Sequence, residues 1–162
     1  IPKVISLKPN QVNYNKMIKN IRLNNSDIQT FNLAISDRIG QGEIWFNDEN
    51  KMGGSSIKND TDKQIKNYNK NKLSFKNIEL STLDNLYGNL SEKLILMKID
   101  VERHELNVLN GGSLFFNNNK ILLQIEIMND YKKSVFDKLD KYNFKYIYSI
   151  DDDYFFSNFI TF

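Results

Sequence analysis

The sequence predicts an α/β domain built on a mostly parallel sheet, with helices on both faces and an antiparallel hairpin at its C-terminal end. Three observations carry this expectation. Strand-like and helix-like periods alternate along most of the chain. The run at residues 94–99 is apolar at nearly every position, as in a strand covered on both faces. Two aromatic-rich strand patterns near the C-terminus flank the acidic turn at residues 151–153.

The elements follow in order. Residues 3–7 alternate, then run apolar until Pro9 stops them, giving a first strand. Asn10 caps a helix in which Tyr14, Met17, Ile18 and Ile21 recur at helical spacing, ending in the polar Asn24, Asn25 and Ser26. Residues 28–35 form a second strand, 38–41 a turn, and 42–46 a short third strand whose Trp45 is read as packing. Residues 58–77 are polar and aperiodic, which reads as a long solvated loop. Residues 78–80 make a small edge strand, and Ser81 caps a brief helix through Leu86. The strand at 94–100 comes next. From His104 onward, Val108, Leu109, Gly112 and Phe115 share one side of a helix, where Gly111 and Gly112 allow close approach to a sheet. Residues 121–127 are a strand, and Tyr131, Val135, Leu139 and Tyr142 mark a helix. Strands at 144–150 and 154–162 complete the chain.

At 162 residues the chain suits one domain with a core of its own. Lys and Arg total 22 against 20 for Asp and Glu, and the basic residues are dispersed, so the net charge of +2 points to no nucleic-acid partner. Cysteine is absent, which removes disulfides and thiolate metal sites and fits a reducing compartment. No run approaches the roughly 20 apolar residues of a membrane span, and no export signal is present, so a cytoplasmic protein is expected. The first residue is Ile1 and not Met, so a processed, trimmed or partial chain is also expected.

Ionisable groups crowd just past the strand at 94–100: Asp100 ends it, and Glu102, His104 and Glu105 follow. Open α/β sheets build their sites at the carboxyl ends of strands. Glu126 lies among apolar residues on a second strand, where an unpaired carboxylate is costly, so it should face a pocket or meet a cation. Hydrolysis at the acidic strand end finds no support, because there is no serine elbow, phosphate-binding loop or paired-carboxylate motif.

The stretch KIDVERHELNVLNGG (residues 98–112) resembles the signature K-I-D-V-E-G-x-E-x-x-V-L-x-G of the FkbM-type methyltransferases, which transfer methyl groups from S-adenosylmethionine, typically to hydroxyl oxygens. Other blocks agree in order. VISLKPNQVNYNKMIKNIRLNN resembles the family's second strand and the helix after it. FNLAISDRIGQGEIWF resembles its A-x-S-D-x-x-G stretch and following strand. GGSSI, STLDNL and LLQIEI match its Ser-Ser turn, its T-L-D-x-L and its strand ending in Glu. The resemblance runs from Val4 to about Phe156. It implies a Rossmann-like methyltransferase sheet that here lacks the family's first strand.

Function follows from the same resemblance. It implies S-adenosylmethionine as cofactor and a hydroxyl acceptor on a sugar, glycan or small natural product. Methyl transfer is an in-line displacement that needs the acceptor aligned and relieved of a proton. His104, with an unperturbed pKa near 6.5, is the expected base. Asp100 is expected to orient the acceptor, the cofactor's amino group or the imidazole, with Glu102 and Glu126 completing the catalytic set. Lys8, Ser36, Asp37 and Asp100 occupy the family's cofactor positions. Simpler readings stand beside these: His104 as a solvated or capping residue, Asp100 as a cap, Glu102 and Glu105 as acids favoured by a helix dipole, Ser36 and Asp37 as turn chemistry. Asp100, Glu102, His104 and Glu126 are donor types for Mg²⁺ or Mn²⁺, but all four cannot converge on strand or helix geometry, and no metal is assigned.

Three positions depart from the family pattern. The Asp-x-Gly-Ala-Asn-x-Gly loop that cradles the cofactor's methionine part lies before the point where this sequence begins. Lys8 stands where an acid accepts hydrogen bonds from the ribose hydroxyls, and lysine has no acceptor. Arg103 replaces a glycine, at a cost of about 1 kcal/mol if the turn needs positive φ. A second reading is therefore an inactive methyltransferase-like remnant or interaction module. The absent strand is central in the family's sheet, so residues 4–7 should pair with residues 94–99, or the chain should self-associate through exposed strand edges.

Overall fold

The computed structural model describes residues 3–46, 56–57 and 74–160. The chain divides into two compact units, Ile1–Ile35 with Ile39–Ser81, and Ser36–Arg38 with Thr82–Phe162. No helix among the described residues is long and apolar enough to cross a membrane.

In the first unit, β1 (Val4–Leu7), α1 (Gln11–Leu23) and β2 (Ile28–Phe31) form a β–α–β crossover. The two strands are parallel, Val4 opposite Ile28 and Leu7 opposite Phe31. Asn10 caps α1 as its sequence position foretold: its side-chain oxygen accepts the N–H groups of Val12 at 2.9 Å and Asn13 at 3.4 Å. The strand expected at 28–35 is broken, because β3 (Ala34–Ile35) leaves β2 and joins another sheet. That sheet has the order β3, β6 (Ser74–Ser81), β4 (Gly40–Phe46), β5 (Ser56–Ile57). Ala34, Ile44, Ile57, Ile78 and Leu80 form its core, and Trp45 is packed at 1 % exposure.

Two expectations are corrected here. The edge strand of three residues is an interior strand of eight, flanked by β3 and β4, so Ser74 to Asn77 belong to β6 and not to a loop. The rest of the polar stretch, 58–73, lies outside the described residues. Within the first unit, β1 pairs with β2 in a two-stranded sheet, and not in a sheet with residues 94–99 as expected.

In the second unit, four strands have the order β7 (Leu94–Ile99), β8 (Lys120–Glu126), β10 (Asp153–Ser157), β9 (Lys145–Ile150). Only β7 and β8 are parallel; β10 runs antiparallel to both its neighbours. The C-terminal hairpin is present, but the two four-stranded sheets are mixed and not mostly parallel. The helices are α2 (Leu83–Tyr87), α3 (Glu105–Asn110), α4 (Ser113–Asn118) and α5 (Lys132–Asp140). Thr82, not Ser81, caps α2, accepting the N–H of Asn85 at 2.9 Å. The single helix expected after His104 is two, separated at Gly111 and Gly112.

One face of this sheet is sealed. Ile121, Leu123 and Ile125 of β8 are fully buried, as are Leu109, Val135 and Leu139 of the helices. The opposite face carries Leu94 and Leu96 at 68 % and 78 % exposure, which differs from the expected cover on both faces.

Candidate functional site

β7 and β8 are in register with Ile99 opposite Ile125. One residue further along each strand brings Asp100 and Glu126 side by side, on the same face because side chains alternate with period two. β10 adds Asp153 directly opposite Glu126. Lys98, two residues before Asp100 on the same face, approaches it at 3.2 Å, and this contact raises the lysine's pKa. Gln124 donates from Nε2 to Asp153 at 3.0 Å.

Electrostatics follow from this crowding. The hydrogen bond with Asp100, then burial, raise the Glu126 carboxyl to about 7. Neighbouring carboxylates cannot both ionise freely, so a proton is held between them well above the usual carboxylate range. Glu102 is also raised, by burial first and then by the charge of Asp100, against the pull of Arg103. Asp100, Glu102 and Glu126 thus act on one another.

His104 belongs to a different group. It is 1 % exposed, and its Nε2 lies 3.0 Å from Ser36 Oγ. Ser36 in turn donates to Asp37 Oδ1 at 3.1 Å, and Asn107 Nδ2 donates to Asp37 Oδ2 at 2.9 Å. With the serine proton used on Asp37, the imidazole donates from Nε2, leaving Nδ1 buried without a partner. Burial lowers the His104 pKa to about 4, outweighing the charge of Asp37. The expected base therefore faces the interior and is neutral at ordinary pH. Serine lies between the histidine and the aspartate here, which is not the order of a nucleophilic triad.

Several contributing residues escaped the sequence reading. Asp153 read as hairpin turn, because nothing in the chain marks β10 as the neighbour of β8. Asn107 read as one asparagine among many. Glu105, read as a dipole partner, is 2 % exposed, and burial raises its carboxyl to about 7. Its signal was the second Glu of the signature. Arg103 pairs with Asp130 at 2.9 Å. Its φ of 75°, beside 51° at Glu102, shows that the turn does require the left-handed region.

In the first unit, Lys8 follows β1 directly with its side chain exposed, while its N–H donates to Phe31 O at 3.0 Å. A groove of ≈ 550 Å³ opens at the carboxyl ends of β1 and β2, with Pro9, Asn10, Phe31, Asn32, Lys76 and Glu79 in its walls.

These features define the class: an α/β protein with a carboxylate cluster at the ends of parallel strands. The profile of the methyltransferase FkbM domain matches residues 2–148, so the chain belongs to the FkbM methyltransferase family. No curated protein and no solved structure matches it.

Proposed function

We propose that the chain takes part in methyl transfer from S-adenosylmethionine to a hydroxyl oxygen of a sugar, glycan or small natural product. The observation that carries this reading is the side-by-side placement of Asp100 and Glu126 at the ends of the adjacent parallel strands β7 and β8, which raises the Glu126 carboxyl to about 7. A carboxylate with that affinity suits removal of the acceptor's proton at neutral pH. Asp100 and Glu126 then act on the acceptor, and Glu102 tunes them. The buried His104 and Ser36, tied to the exposed Asp37, form a brace that positions the strand-end loop. Each unit holds a parallel strand pair of the kind a Rossmann-like fold uses: β1 and β2 joined through α1 in the first, β7 and β8 in the second. The absence of cysteine goes with a cytoplasmic location.

In the second unit, Asp100 has the acceptors that an amino group of the cofactor would need. In the first unit, Lys8, just past β1, has donors alone and does not fit a ribose diol. When bound, the cofactor would supply the electrophilic methyl group. Lys8 also favours the second reading, a methyltransferase-like fold that binds a partner without turnover or self-associates through strand edges.

Calorimetric titration with S-adenosylhomocysteine separates the two. Binding at micromolar concentration is expected for a working site, and none at millimolar concentration would leave the inactive reading.

A further inference from the structure

We infer that Glu105 is a positioning residue for the Asp100–Glu126 pair, an assignment that deepens the proposed transferase reading and rests on it. Residues 101–104 join Asp100 to α3, and two consecutive residues there, Glu102 and Arg103, hold φ of 51° and 75°. Side chains at left-handed φ cost roughly 1 kcal/mol each, so such a turn persists only where its surroundings over-determine it.

Glu105 provides that constraint from the first position of α3. Its Oε1 accepts the N–H of Arg103 at 3.1 Å, and the N–H groups of Val101 and Glu105 itself also stabilise its charged form. The carboxylate thereby gathers the backbone donors of the loop around one buried point. His104, the N-cap, contributes no side-chain bond of its own to the helix end. Asp100 directly precedes the gathered segment, so its lateral contact with Glu126 depends on where that segment is held. The charged neighbour acting on Glu105 is Glu102, which raises its pKa, while His104 stays neutral in the range that matters.

A structural staple would lower stability when removed but would leave the proton affinity of Glu126 alone, whereas a positioning residue changes it. The test is carboxyl-detected NMR titration of Glu126 in the unaltered chain, in Glu105→Ala and in Glu105→Gln, which keeps one acceptor oxygen. Glu126 is expected to titrate near pH 7 in the unaltered chain, at least one unit lower in Glu105→Ala, and between the two in Glu105→Gln. If Glu105→Ala does not fold, the glutamine variant decides by the same criterion. In the unaltered chain the Arg103 amide resonance should also follow the Glu105 titration. An unmoved Glu126 in the folded variants, an Arg103 amide indifferent to Glu105, or a Glu126 that titrates as an ordinary carboxylate from the start would each overturn the inference. Failure to bind S-adenosylhomocysteine would sink the transferase reading while leaving these titrations intact.

Discussion

His104 shows how burial can reassign a residue. The imidazole donates to Ser36, Ser36 donates to Asp37, and the ring is sealed from water. Protonating it would place a charge in the interior, which is why its pKa falls from 6.5 to about 4. The unfolded chain binds that proton first, so His104 contributes stability above about pH 6.5 that is lost as pH falls through about 4. The loss amounts to on the order of 3 kcal/mol. Urea denaturation across this range should show the stability gap between the unaltered chain and His104→Leu shrinking by about that amount toward pH 4; a constant gap would mean that the folded ring binds its proton as readily as the unfolded chain does. Glu105 has the opposite sign. Its folded pKa of about 7 exceeds its ordinary value of 4.5, so its contribution is complete below about 4.5 and lost as pH rises through 7. None of this was legible in the sequence, since a histidine after a strand end looks the same whether it faces a crevice or a core.

The α3–α4 junction shows what an element requires of its glycines. A Cβ at Gly111 would overlap the carbonyl oxygen of Ser36, and one at Gly112 would stand 2.7 Å from the Phe116 ring. Here Gly111 serves close approach and not unusual φ, as its helical context in the sequence suggested. The break between helices was not foreseen, because the apolar period continues across it. Asp84 of α2 explains the restart: it accepts the N–H groups of Leu114 at 3.0 Å and Phe115 at 2.9 Å, a cap supplied from thirty residues away. Gly111→Ala should therefore cost about 1–3 kcal/mol by overpacking, read as a fall in the denaturation midpoint at unchanged slope. An unchanged midpoint would mean the backbone there yields freely.

At the scale of the whole chain, the four-stranded sheet has one sealed face and one open face. Leu123→Ala on the sealed face should cost about 2–5 kcal/mol, whereas Leu96→Lys on the open face should stay within about 0.5 kcal/mol; comparable losses at the two sites would show that the open face is covered in solution. The sequence by itself determined the opening strand and helix, the Asn10 cap, the close approach at Gly111, the closing hairpin, the family, and the strand ends at Asp100 and Glu126, because these rest on local period, turn chemistry and motif spacing. Tertiary structure alone decided that β6 is interior, that β10 lies beside β8 and brings Asp153 to Glu126, and that His104 turns inward while Glu105 holds the loop. Those outcomes depend on which strands become neighbours and which groups lose water. Local periodicity carries no information about either.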